Sequence, residues 1–382
     1  MKARIFIFAT VFLLVFNLAI PTTVLSENGP PKPKEWKGPG EKIEFQSVPS
    51  MTVRDFLIGK KPERQVTISG TLNFPANAPE KNAPVVVLLH GWGGIRGASE
   101  HWMNVFNSMG LATFMVDSGW ARRNCKKDNN FKKAFPFCNA INRGMNRVID
   151  GYGALELLSK HPRIDPKRIG CLGISLGARG CLYLNVKRFQ KMWGTPGMEF
   201  AASVPMYPPC NVIFKEDDEI TNTAIRIHVG EKDTYFPVDS CINYVGRLKA
   251  KGKDVDIKVY SNTHHGFEKK IGGKQIIKTQ GHNDGRCYYE ENTSLPLTEM
   301  APDDVAIITQ IGFNEWYASA TEKDKKKLFK RLKMRHKFGW RIPQIWHDRS
   351  CISKSNTLAY NKKSSAEAKK LVSEFFNSTL KQ

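Results

Sequence analysis

One decapeptide in this 382-residue chain could present a nucleophile: Cys171-Leu172-Gly173-Ile174-Ser175-Leu176-Gly177-Ala178-Arg179-Gly180. It contains Gly-x-Ser-x-Gly. Arg168 to Leu172 is short and β-like, and Ala178 to Val186 can form a helix, so the serine falls at a strand–turn–helix junction. A serine there stands on a tight, strained turn with its hydroxyl pushed into the open. Bulk at Gly173 or Gly177 would strike the neighbouring strand or helix. The helix that begins here also points the positive end of its dipole at the place where negative charge would develop. A glycine-rich turn with a solvated serine would explain the five residues alone, so the rest of the chain must decide.

A serine hydroxyl needs a base to take its proton, and the base needs a third group to orient it. On this kind of scaffold the acid and then the histidine follow the serine, each on a loop at the carboxyl end of a strand. Gly230 to Pro237 offers Asp233, with Glu231 and nearby Asp239 as competitors. Ser261 to Phe267 offers His265, with His264 as competitor. An oxyanion hole would combine the N–H of Leu176 with one from His90-Gly91-Trp92-Gly93-Gly94, where Trp92 is the candidate and His90 is read as structural. Such a set performs acyl transfer on an ester with protein groups alone. No metal or cofactor is expected.

The elements that must position these groups are legible by period. Lys42 to Val48 and Gln65 to Phe74 alternate apolar and polar residues, as half-buried antiparallel strands do. Ala83 to Leu89 is a continuous apolar run, the mark of a strand buried on both faces. Further strands are predicted over 111–117, 200–207, 224–229 and 255–260, and helices over 100–110, 146–161 and 364–380. Alternating strands and helices imply an α/β fold with a mostly parallel central sheet and helices on both faces. The rhythm stops between Glu268 and about Asn356, where Thr321 to His336 reads as a densely basic helix. The organisation read here is a leader peptide over 1–26, a Pro-, Gly- and Lys-rich stretch over 27–42, a core over 43–267, an insertion over 268–356 and a terminal helix over 357–382.

Composition narrows the setting. The chain is 41% hydrophobic and 25% charged, which excludes a disordered protein, and its net charge is +22. That excess suits an anionic surface or glycan; the substrate expected from the catalytic set is a small-molecule or polymer-linked ester. No nucleic-acid motif accompanies it, so no nucleic-acid partner is expected. Lys2 and Arg4 precede an apolar stretch from Ile5 to Ile20, and Val24 and Ser26 are small, which predicts a secretory signal cleaved after Ser26 and no transmembrane segment thereafter. The protein would then be secreted or periplasmic. In an oxidising compartment the eight cysteines should be partly bridged. Cys171 and Cys181 lie on diverging elements and are expected to be free thiols. The other six pair most simply as neighbours: Cys125–Cys138, Cys210–Cys241 and Cys287–Cys351.

The chain resembles the dienelactone hydrolase-like family of α/β-hydrolases, in its secreted, serine-containing branch. The resemblance is carried by His90-Gly91-Trp92-Gly93-Gly94, Val116-Asp117-Ser118 with Arg122 and Cys125, Asp165-Pro166-Lys167-Arg168-Ile169-Gly170 leading into the Ser175 turn, and Tyr207-Pro208-Pro209-Cys210. Gly230-Glu231-Lys232-Asp233 with Cys241, and His265-Gly266-Phe267, complete it. It spans about residues 60 to 268. It implies the α/β-hydrolase fold, a Ser175–Asp233–His265 triad and a Cys210–Cys241 bridge. Dienelactone hydrolases proper use cysteine as nucleophile, so the resemblance speaks for fold and chemistry more than for substrate. The expected activity is a serine carboxylesterase. The rival readings are a non-catalytic binding protein on the same fold, and an acyltransferase or peptidase with the same triad.

Overall fold

The structure, a computed structural model, describes residues 23–25, 39–49, 51, 53–91, 94–95, 97–119, 122, 145–268, 275–283, 286–292, 308–337, 347–348, 350–351 and 353–381. Its centre is an eight-stranded sheet: β1 (Glu41–Ser47), β2 (Val66–Asn73), β3 (Ala83–Leu89), β4 (Ala112–Asp117), β5 (Ile164–Ile174), β6 (Ala202–Met206), β7 (Ala224–Gly230) and β8 (Val255–Tyr260). The spatial order is β8-β7-β6-β5-β3-β4-β2-β1. The pairings β1–β2 and β2–β4 are antiparallel, and the other neighbours are parallel. This is the α/β-hydrolase arrangement.

Sequence alternation explains the layering. Along β3, which is buried throughout, Val85, Val87 and Leu89 face one core while Val86 and Leu88 face the other. The first core receives α2 (Met145–Ser159), α3 (Leu176–Tyr183) and α4 (Val238–Ala250); the second receives α1 (Ala98–Ser108) and α5 (Lys362–Leu380). On α2, Val148, Tyr152, Leu155 and Leu158 are buried at helical spacing, but so are Asn146, Arg147 and Asp150 on other faces. They carry polar anchors. Arg122 forms a two-pronged ion pair with Asp150 at 2.7 and 2.8 Å, and also donates to Ser47 Oγ and to the carbonyls of Val48 and Ser118. Burial alone would raise the Asp150 pKa, but the Arg122 charge and the hydrogen bonds from Arg122, Ser47 and Ser118 hold it below the usual carboxylate range.

The described residues of the insertion contain strands that its sequence did not announce. Val212–Ile213, Tyr289–Glu291 and Ile308–Gln310 form a small sheet, and Thr23–Leu25, Gln275–Asn283 and Ser353–Leu358 form another. Thr23–Leu25, on the amino-terminal side of the expected cleavage, runs parallel to Gln275–Ile277. The basic helix spans Glu322–Lys337, close to the predicted range. Among the described residues no helix is long and apolar enough to cross a membrane.

The last helix docks as its spacing requires. Asn361 caps it by accepting from the Ser364 N–H, and Ala368, Val372, Phe376 and Leu380 recur every fourth residue on its buried side. The neighbouring apolar residues Leu371 and Phe375 are only half-buried. Phe376 lies edge-on to Phe106 at 5.1 Å and fills the space left by Gly170, where an added Cβ would stand 2.6 Å from its ring. Phe376→Ala should therefore lower unfolding free energy by about 3–5 kcal/mol, read by chemical denaturation. A loss below about 1 kcal/mol would mean that this helix does not dock here.

Candidate active site

The turn at Ser175 forms because two positions have no side chain. β5 stops at Ile174, Ser175 adopts φ 53° and ψ −110°, and α3 starts at Leu176. A Cβ on Gly173 would sit 2.6 Å from the Gly177 carbonyl carbon, and one on Gly177 would sit 2.5 Å from that of Leu89. Either would force the turn open. The Ser175 N–H donates to Met206 O at 3.0 Å, so the turn is also fastened to the end of β6.

The loop after β3 comes equally close. A Cβ at Gly91 would lie 3.1 Å from Ile174 O and 3.5 Å from Ser175 Cβ. Preceding it, His90 is buried with Nδ1 2.6 Å from Gly91 O, and Arg147 Nε donates to His90 O at 2.9 Å. Burial, followed by the neighbouring Arg147 charge, pushes the His90 pKa down to about 4, so this imidazole is neutral at pH 7. Its place is structural, as expected. Leu176, the first residue of α3, directly follows the serine, where backbone N–H groups have no partner within the helix. Trp92 lies outside the described residues.

The two remaining loops converge on the serine. Both leave the sheet at its β7–β8 end, and a Cβ at Gly230 would stand 2.8 Å from the Thr263 carbonyl carbon, so the loops pack against each other. Asp233 Oδ1 accepts from the N–H groups of Tyr235 at 2.7 Å and Phe236 at 3.2 Å. Its Oδ2 lies 2.7 Å from His265 Nδ1, and His265 Nε2 lies 2.9 Å from Ser175 Oγ. Both partner side chains are buried, at 4% and 3% exposure. The competitors stand elsewhere. Glu231 is exposed and accepts from the Asn262 N–H at 2.7 Å; Asp239 is exposed in the first turn of α4; His264 Nδ1 is 2.9 Å from Lys232 O. Of the candidates, the structure brings together Ser175, His265 and Asp233.

Residues without a predicted role complete the surroundings. The rings of Tyr207 and Tyr235 lie 4.4 Å from that of His265, and Phe236 lies at 5.8 Å. Tyr235 and Phe236 directly follow the acid, a signal that sequence reading could have used. The strand Ser353–Leu358 returns from the insertion to the same place. Thr357 N–H donates to Thr234 Oγ1 at 2.8 Å, Leu358 pairs with His265, and Ala359 N–H donates to His265 O at 3.3 Å. The end of the insertion thus clamps both the acid loop and the base loop.

The disulfides correct one expectation. Cys171 and Cys181 are bridged rather than free, with Cα atoms 5.9 Å apart. Their elements diverge only at the turn. The helix then folds back over its own strand, which places position 181 above position 171, inside bonding range. Cys210–Cys241 and Cys287–Cys351 form as expected, while Cys125–Cys138 lies outside the described residues. Among the described residues no His, Cys, Asp and Glu cluster has the makings of a metal site.

The model of the dienelactone hydrolase family matches residues 68–284 of the chain. No curated protein matches it. Among solved structures, a propionate-bound thermophilic esterase (Est2) from the Planctomycetes species Thermogutta terrifontis is 15% identical, with a TM-score of 0.40; the match covers 54% of this chain and 82% of that one. The dienelactone hydrolase-like promiscuous phosphotriesterase P91 from metagenomic libraries is 10% identical, with a TM-score of 0.47, over 89% of this chain and 98% of that one.

Peptide mapping without reduction should recover Cys171–Cys181 alongside Cys210–Cys241 and Cys287–Cys351. Alkylation of Cys171 and Cys181 in the unfolded, unreduced protein would refute the bridge across the turn.

Proposed function

Because this chain belongs to the dienelactone hydrolase family, we propose that it is an exported serine hydrolase that cleaves carboxylic esters through an acyl-enzyme. The observation that carries this reading is the continuous Ser175–His265–Asp233 hydrogen-bonded chain. His265 Nε2 takes the proton as Ser175 Oγ attacks the ester carbonyl. Asp233 holds Nδ1–H and stabilises the imidazolium that forms. The oxyanion faces the Leu176 N–H at the start of α3. As the tetrahedral adduct collapses, His265 returns its proton to the leaving alcohol. Water, activated by the same histidine, then releases the acid. Export is supported by the amino-terminal sequence and by three bridges that suit an oxidising compartment. Ser175→Ala should abolish fluorophosphonate labelling and lower esterase activity by on the order of 10³-fold or more while the protein stays folded. Retained activity would place the nucleophile elsewhere and favour the binding-protein reading, and transfer to an added alcohol in preference to water would favour an acyltransferase.

The basic helix Glu322–Lys337 bears on the kind of ester. Lys323, Lys326, Lys327 and Lys330 are exposed, Leu328 is buried beneath them, and Lys325 lies 5.0 Å from the Tyr317 ring. A row of outward lysines suits an ester carried on an anionic surface or glycan. Replacing these four lysines with glutamine should weaken binding to acidic polysaccharide or anionic vesicles at low salt. The difference should fade toward 1 M salt, where screening reaches about 3 Å. Unchanged binding at low salt would make the row a solvated face.

A further inference from the structure

Tyr207 sits where β6 ends, one residue beyond the Met206 carbonyl that receives the Ser175 N–H. It is a bulky residue at φ 43°, in the left-handed region that L side chains avoid. Its own N–H donates to His228 O at 2.6 Å, which fixes this backbone. Such strain persists only when the surroundings impose it, and here it sends a buried ring against that of His265, 4.4 Å away and tilted by 60°. The hydroxyl at the far end donates to Glu268 Oε1 at 2.6 Å. Glu268 is itself buried, three residues beyond His265, and its carbonyl accepts from Ser365 Oγ of α5 at 2.7 Å. Burial, then the Glu268 charge and its hydrogen bond, hold the Tyr207 hydroxyl well above its usual pKa range, so it remains a donor.

We propose that Tyr207, tethered by Glu268, is a positioning residue that holds the His265 imidazole in line between Ser175 Oγ and Asp233. The inference rests on the triad reading above. His265 is otherwise faced by Asp233, Tyr235 and Phe236 from the acid loop, by Ser175 from the nucleophile turn and, at its backbone, by Leu358 and Ala359. Those contacts set its two nitrogens and one flank of its ring. Tyr207 blocks the tilt that would break the 2.9 Å contact to Ser175. Glu268, whose charge adds to burial in raising the Tyr207 pKa, stands behind that ring as a second carboxylate.

The test compares Tyr207→Phe, which keeps the ring and loses the tether, with Glu268→Gln, which keeps an acceptor and loses the charge. Fluorophosphonate titration and a melting curve fix the fraction of folded, competent sites in each. Per competent site, Tyr207→Phe should lower kcat about tenfold with KM nearly unchanged, a modest part of what a general base contributes. Glu268→Gln should retain most of kcat but move the acid limb of the kcat/KM profile to lower pH, because the imidazolium loses a neighbouring negative charge. Parent-like kcat and pH profiles in both variants would overturn the inference, as would losses that vanish once corrected for folded sites. Should Ser175→Ala keep full activity, the triad reading itself fails. An inactive Ser175→Ala beside a parent-like Tyr207→Phe would sink only the positioning role.

Discussion

The constraint on which the site depends is the backbone of Ser175. Its positive φ costs on the order of 1–3 kcal/mol for a residue with a side chain, and it is held from every direction. Gly173 and Gly177 leave the space in which the turn can close, and Met206 receives the serine N–H. The Cys171–Cys181 bridge joins strand and helix across a sequence separation of 10, with the serine inside the loop it closes. A bridge of that size contributes about 2–4 kcal/mol, comparable to the strain or larger, so the turn need not relax. The hydroxyl's position then follows from the sheet rather than from its own side-chain freedom.

Around that turn the protein neutralises what it buries. His90 is uncharged, and Arg122 is matched by Asp150 with its remaining donors taken up by Ser47, Val48 and Ser118. A buried ion pair of this kind adds little net stability, because desolvation offsets the attraction. Its effect is geometric: it ties α2 and the chain after β4 to the end of β1. On the other side, Asp233 has both oxygens occupied by backbone donors or His265. The imidazole accordingly meets one carboxylate directly, and a second only through Tyr207.

The parts legible in sequence were those whose cause is local. Gly-x-Ser-x-Gly announces its turn because glycine is required within two residues of the serine. Asp233 and His265 could be narrowed, though not chosen, from strand ends and chain order; what separates His265 from His264 is which neighbour faces the sheet's end. The Cys171–Cys181 bridge was misread because its geometry comes from a helix folding back, which neighbouring residues do not encode. Tyr207 stayed silent for a similar reason. A tyrosine at a strand end is unremarkable until its φ and its partner 61 residues away are known. The insertion's strands pair with distant segments, so no periodicity within them revealed the pairing.

The antiparallel pairing of Gln275–Lys278 with Ser355–Leu358 makes the insertion a stem with a long head. Its return arm touches Thr234 and His265, so the stem belongs to the catalytic scaffold, and the head is anchored a second time where Tyr289–Glu291 pairs with Val212–Ile213 and Glu291 meets Arg188. Loop closure is settled at the root, and lengthening the head adds only a slowly growing entropic penalty. Length is therefore tolerated between these two anchors, whereas a graft that removed Tyr289–Glu291 or cut closer to Tyr360 would sever the scaffold as well.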